Sequence, residues 1–235
     1  MMSGFEFGSI CLFLLLPVLY EHSNTFRYYF KFFVYYGYIM VTSVVVLPIM
    51  LWNPRSVENL ILASKLCRHI STLLRLRWEL RGGEYLNKQQ SFVIVANHQS
   101  SIDILDFWLC LLPFWMVLQN QNSYLNVKIW VFPEGTRKNT GEIHAFKKGA
   151  FHAAISAQLP ILPVVFTRFY FLQSEKCIFN PGKIVITVLP PIKTCGLNVE
   201  NLAQLMTTTH TTMTQTFNNT SKELLKELKT ERSYE

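Results

Sequence analysis

With 235 residues the chain has room for one globular domain and an anchor. Half of its residues are hydrophobic and only 16% are charged, which is apolar for a freely soluble enzyme. A formal net charge of +7 fits nucleic acid, an anionic membrane surface or an anionic substrate. No nucleic-acid motif accompanies it and the aromatics fall in apolar runs, so membrane and substrate remain.

Residues 7–20 carry no charged side chain. The run is short for a bilayer crossing, yet it predicts a membrane helix. No basic stretch precedes it, which argues against a cleavable signal peptide. Residues 32–54 are also free of charge, between Lys31 and Arg55. Their length spans a hydrocarbon core of roughly 30 Å at about 1.5 Å per residue. Trp52, Tyr28 and Tyr29 stand where interfacial aromatics belong. Residues 1–54 therefore read as a membrane anchor of one or two transmembrane helices, and 55–235 as the domain it carries.

Arg55, Lys65, Arg68, Arg75, Arg77 and Arg81 crowd after the longer run, which places that side in the cytosol. Residues 56–76 interleave apolar side chains with cations, the pattern of an interfacial helix or of an amphipathic core helix.

Residues 76–80 predict a short strand ending at the Gly82-Gly83 turn. The apolar run 92–96 predicts a buried parallel strand. Ser100 or Ser101 caps a helix over 102–111, closed by Pro113. A strand is expected over 127–132, a loop at Gly141, a helix over 148–157, and strands over 161–166 and 184–189. Residues 199–229 predict one or two amphipathic helices, although the threonine-rich stretch 207–216 is a poor helix former. Strands alternating with helices give an α/β fold. The expected architecture is a mostly parallel sheet flanked by helices, preceded by N-terminal transmembrane helices.

Two motifs stand at the carboxyl ends of predicted strands, where open α/β sheets bind ligands. The first is Asn97-His98-Gln99-Ser100-Ser101-Ile102-Asp103. An imidazole is a suitable general base for an alcohol, and a turn can bring the Asp103 carboxylate to its far nitrogen. The substrate hydroxyl would then take the place of a nucleophilic serine. The second is Phe132-Pro133-Glu134-Gly135-Thr136-Arg137. Pro133 and Gly135 restrict and then free the backbone, and Arg137 can grip a phosphate bidentately. Glu134 is costly to bury alone, so it pairs with Arg137 or a backbone donor. Phe146-Lys147-Lys148-Gly149 adds cations before a helix. Cys11, Cys67, Cys110, Cys177 and Cys195 are odd in number and without paired spacing, so no disulfide framework or zinc motif is expected.

These residues resemble the glycerophospholipid acyltransferases, and most of all the 1-acyl-glycerol-3-phosphate acyltransferases. His98 and Asp103 match the HX4D pair of that family, and residues 132–137 its phosphate-binding block. Residues 80–86, 146–151 and 159–164 resemble further family segments. The resemblance implies His98 and Asp103 as catalytic residues and Glu134, Gly135, Thr136 and Arg137 as substrate-binding. It implies acyl transfer from acyl-CoA to the sn-2 hydroxyl of lysophosphatidic acid, giving phosphatidic acid, without cofactor or metal. Acyl-CoA, lysophosphatidic acid and membrane lipid are the implied partners, with no nucleic acid and no identified protein. The implied location is the endoplasmic reticulum membrane, with the catalytic domain in the cytosol.

One departure stands out. Only residues 104–131 separate Asp103 from Phe132, where the family carries a much longer stretch. A shortened variant is expected, and with it three alternatives. One is a catalytically impaired lipid-binding or partner protein. The others are acyltransferases for another lysophospholipid or for glycerol-3-phosphate.

Overall fold

The computed structural model describes residues 4–52, 57–86, 90–103 and 128–233. The expected helix over 102–111 beyond Asp103, its closure at Pro113, the start of the strand at Val127 and the cation Arg55 lie outside the described residues.

Two consecutive helices open the chain, α1 (Gly4–His22) and α2 (Asn24–Trp52). The break falls at Ser23, whose Oγ accepts the Phe26 N–H at 3.2 Å and caps α2. Arg27 donates to the carbonyls of Tyr20 and Glu21 at 2.9 and 2.7 Å, which closes the open end of α1. α2 is long and apolar enough to cross a membrane, and Met40, Val44 and Trp52 on its later half are exposed. Its first half lies against the domain instead. Lys31 is buried and donates to the Phe179 carbonyl at 2.8 Å. Tyr35 is buried in the main core, and Tyr38 donates its hydroxyl to the Leu66 carbonyl at 2.7 Å.

α3 (Val57–Leu73) buries Asn59, Ile70 and Ser71 and leaves Lys65, Arg68 and His69 exposed. Arg75, at φ 57°, takes the left-handed conformation that ends it.

Five strands form the main sheet: β1 (Leu76–Arg81), β2 (Phe92–Ala96), β3 (Lys128–Val131), β4 (Ile161–Phe166) and β7 (Gly182–Val188). Their order is β1-β7-β4-β2-β3. Three of the pairings are parallel, and β4 with β7 is antiparallel. The sheet is therefore mostly parallel, with its reversal between β4 and β7. A small antiparallel pair, β5 (Leu172–Gln173) and β6 (Ile178–Phe179), forms between them.

All five residues of β2 are buried because both sheet faces are covered. Phe92, Ile94 and Ala96 face a core shared with Leu162, Val164, Phe166 and Tyr35. Val93 and Val95 face the opposite core with Ile161, Val165 and the last two helices. Each buried Val, Leu, Ile or Phe among them contributes about 1.5–3 kcal/mol.

Those helices are α4 (Gly149–Ser156) and α5 (Leu202–Ser233). α5 is one continuous helix, entered through a 3₁₀ turn with an Asn198 capping box. Its threonines fit because Thr207, Thr209, Thr212, Thr216 and Thr220 each return their hydroxyl to the carbonyl four residues back. Leu205, Thr209, Met213, Phe217, Ser221 and Leu224 make its buried face. At the far edge Arg81 grips Glu223 with two bonds of 2.9 Å, and Lys183 bridges Glu79 and Glu227.

Candidate active site

β2 ends in Ala96, and the next three residues leave the sheet while staying tied to β4. Asn97 accepts the Phe166 N–H at 2.8 Å and donates to the Phe166 carbonyl at 3.1 Å, imitating a strand pairing with its side chain. Gln99 donates to the Thr167 carbonyl at 3.0 Å and accepts the Phe169 N–H at 3.3 Å. With its neighbours fixed, His98 has little freedom.

The loop 98–103 is wound around one carboxylate. Asp103 is fully buried. Its Oδ2 accepts the N–H groups of Gln99 and Ser100 at 2.6 and 3.0 Å, and lies 2.7 Å from His98 Nδ1. Burial pushes the Asp103 carboxyl up, against the pull of these three hydrogen bonds. With Oδ2 accepting, Nδ1 carries the proton and Nε2 presents its lone pair. Oδ1 is buried without a partner among the described residues.

The second motif completes the histidine's surroundings. Phe132 stacks on the His98 ring, with centroids 4.0 Å apart and planes 16° from parallel. His98 donates its backbone N–H to Glu134 Oε1 at 2.7 Å, and its carbonyl accepts the Lys138 N–H at 3.1 Å. Glu134 is buried, and its Oε2 accepts the His144 N–H at 2.9 Å. Glu134 thus faces inward and pairs with backbone donors, one of the two partners its burial demanded. Burial pushes its carboxyl up, opposed by those two N–H groups.

Gly135 turns the chain outward at φ 67°, with its N–H on the Phe132 carbonyl at 3.2 Å. A Cβ there would meet the Lys147 side chain, with Nζ at 2.5 Å. Gly135, Thr136 and Arg137 are exposed, and among the described residues Arg137 has no hydrogen-bonded or ionic partner. Lys138, Lys147 and Lys148 are exposed around the same turn. The structure thus brings His98, Asp103 and Glu134 into direct contact and sets Gly135, Thr136 and Arg137 beside them.

Not every residue of this site is marked in the sequence. Phe132 stands out there only as part of its motif, although an aromatic before Pro133 on a neighbouring strand is well placed to stack. Asn97 and Gln99, the polar flanks of His98, carried a signal in their position after a buried strand. Tyr35 and Tyr36 of α2 donate to the carbonyl and Oγ of Ser101 at 2.8 and 3.0 Å. Nothing in the local sequence of either segment announces that contact. Among the described residues, no group of His, Cys, Asp and Glu could hold a metal.

Chemically, an imidazole held in this way can accept a proton from a hydroxyl, and the exposed cations of the neighbouring turn can pair with an anion. Among the described residues no serine, threonine or cysteine side chain bonds to the imidazole.

The family described as Acyltransferase matches residues 77–127 and 118–167. The human 1-acyl-sn-glycerol-3-phosphate acyltransferase alpha is 32% identical over 231 residues, covering 81% of this chain and 81% of that protein. The human beta enzyme is 30% identical over 250 residues, covering 89% and 90%. In both alignments the aligned stretch exceeds this chain's share of it, so the relatives carry residues where this chain has none. The crystal structure of the 1-acyl-sn-glycerophosphate acyltransferase PlsC from Thermotoga maritima has a TM-score of 0.63 at 23% identity. That likeness covers 83% of this chain and 96% of that one, and it shows the fold. The chain belongs to the acyltransferase family, with 1-acyl-sn-glycerol-3-phosphate acyltransferases among its relatives.

Proposed function

We propose that this chain transfers an acyl group from acyl-CoA to the sn-2 hydroxyl of 1-acyl-glycerol-3-phosphate, giving phosphatidic acid and coenzyme A. The observation that carries the reading is the buried Asp103 carboxylate on His98 Nδ1, which leaves Nε2 free to act as a base. Nε2 takes the hydroxyl proton as the oxygen attacks the thioester carbonyl, and Asp103 stabilises the imidazolium. The carbon–sulfur bond then breaks, and the leaving thiolate receives that proton from His98. Arg137 and the turn at Gly135 and Thr136 hold the acceptor's phosphate, while Glu134 anchors the turn from inside. The helices α1 and α2 hold the chain in a membrane, which for this family reading is the endoplasmic reticulum with the domain in the cytosol.

The test is acyl transfer in membranes that contain this chain, with a labelled acyl-CoA and lysophosphatidic acid. Activity that is lost in His98→Ala supports the reading. Equal activity in both, with both proteins present and folded, overturns it. A second reading, a catalytically silent lipid-binding variant, is favoured by the positions that relatives have and this chain lacks.

A further inference from the structure

The peptide group between Ile143 and His144 is held at both ends. Its N–H donates to Glu134 Oε2 at 2.9 Å, and its carbonyl oxygen faces Nε2 of His210 at 3.2 Å. Glu134 Oε1 in turn accepts the backbone N–H of His98 at 2.7 Å. A ring nitrogen that faces a carbonyl oxygen carries the proton, so Nε2 of His210 is the donor. The three bonds form one series, from the imidazole of His210 to the backbone of His98.

His210 comes from α5, 67 positions along the chain from Ile143. Leu205, Met213 and Phe217 of that helix are buried in the core that holds Val93 and Val95 of β2, so His210 projects from a rigid support. Its ring also meets Phe146 edge to face, with centroids 4.8 Å apart. Phe146 precedes Lys147, whose N–H donates to the Pro133 carbonyl at 2.7 Å. One side chain of α5 therefore fixes the segment 143–147 at two points, and that segment holds Pro133 and Glu134 from behind.

The series polarises in one sense. Donation to the carbonyl makes the N–H of the same peptide a stronger donor, which tightens its hold on the buried Glu134 carboxylate. A plain phenyl ring at position 210 would keep the contact with Phe146 and give the Ile143 carbonyl no donor. We infer that His210 is a positioning residue for His98: it sets the 143–144 peptide, which sets Glu134, which sets the backbone of the base. The inference rests on the reading of His98 as the base in acyl transfer.

The test uses the full chain in phosphatidylcholine nanodiscs. His210→Phe keeps a ring on Phe146 and removes the donor. His210→Gln restores an N–H donor near the place of Nε2. Hydrogen exchange, resolved to single amides, is read at His98 and His144, with Val93, Ile94 and Val95 of β2 as controls. In His210→Phe, exchange at His98 and His144 should rise by about fivefold or more while the β2 amides stay within about twofold. His210→Gln should return both to within about twofold of the unaltered chain. Acyl transfer from acyl-CoA to lysophosphatidic acid is the second readout. In His210→Phe, kcat should fall by about tenfold with KM for both substrates within about twofold, because a displaced base slows the chemistry without loosening either substrate. Unchanged exchange at His98 in His210→Phe overturns the inference. So does a rise shared by β2, which is loss of stability alone, or a kcat that His210→Phe leaves unchanged. If the unaltered chain transfers no acyl group, the reading of the reaction fails on its own, and exchange at His98 still decides whether His210 positions it.

Discussion

The loop 98–103 and the turn 132–138 each bury one carboxylate against His98, and they use it differently. Asp103 collects three donors on one oxygen, one of them the imidazole, and leaves the other oxygen without a described partner. Glu134 gives one oxygen to the His98 N–H and the other to the His144 N–H. One carboxylate is aimed at the His98 ring, which changes charge in the proposed reaction. The other holds two loop segments in place through their backbone N–H groups. A buried acid beside a histidine is therefore not by itself placed to act on the ring; the atom it touches decides.

The largest effect expected from that contrast is in Asp103→Asn. The amide can donate where the carboxylate accepted, which favours the wrong tautomer and removes the charge that stabilises the imidazolium. Acyl transfer should fall by about ten-thousandfold, with KM for the acceptor changed far less. A loss of only a few-fold, measured as kcat, would place Asp103 with Glu134 as a scaffold residue.

On the outer side of the turn, Arg137→Ala should raise KM for a phosphorylated acceptor by about 10–100-fold with a smaller effect on kcat, as expected when a charged hydrogen bond of roughly 1.5–3 kcal/mol is lost. Arg137→Lys should recover part of this, since it keeps the charge and loses the two-pronged geometry. An unchanged KM in Arg137→Ala would remove the turn from the acceptor site.

Glu134→Gln should show itself in stability before chemistry. Its amide nitrogen must face one of two buried N–H groups, at a cost of about 1–3 kcal/mol, or roughly 5 °C in Tm for a domain of this size. The same residue predicts a pH effect. Burial raises its carboxyl, so the folded chain binds that proton more tightly than the unfolded chain. The stability this provides is fully present below the ordinary carboxyl range and is lost as pH rises through the raised value. Thermal unfolding between the ordinary carboxyl range and neutrality should show Tm falling with pH, and Glu134→Gln should flatten the slope. Identical slopes would assign the effect to other groups.

How much of this was legible follows from how local each feature is. The strands over 92–96 and 161–166 are where the apolar runs place them, because burial on both faces writes an unbroken run. The five-residue spacing of His98 and Asp103 is short enough for one turn to close. The contact between Glu134 and the His98 backbone spans 36 positions, and the sequence narrows it only to Arg137 or a backbone donor. The reversal of β7 against β4 depends on the small β5–β6 pair, whose strands of two residues carry no periodicity. The threonine stretch left one helix or two open, since helix propensity omits the hydroxyl-to-carbonyl bonds and the buried face that hold α5 together.

The smallest effect concerns what the two regions do not share. The loop 98–103 is tied to α2 through Ser101, by the hydroxyls of Tyr35 and Tyr36. No described bond ties the turn 132–138 to either N-terminal helix. Tyr35 is buried and Tyr36 is exposed, so the two phenols differ in what replaces them. In Tyr36→Phe, water can take over the Ser101 hydroxyl, and kcat should change by less than about twofold, in line with a net worth below about 1 kcal/mol for an exposed bond. In Tyr35→Phe, the Ser101 carbonyl loses a partner inside the core, and a larger drop in both Tm and kcat is expected. Equal small effects would mean that α2 merely lies beside the catalytic loop. A kcat loss in Tyr35→Phe exceeding its loss of stability would mean that α2 helps set the position of His98.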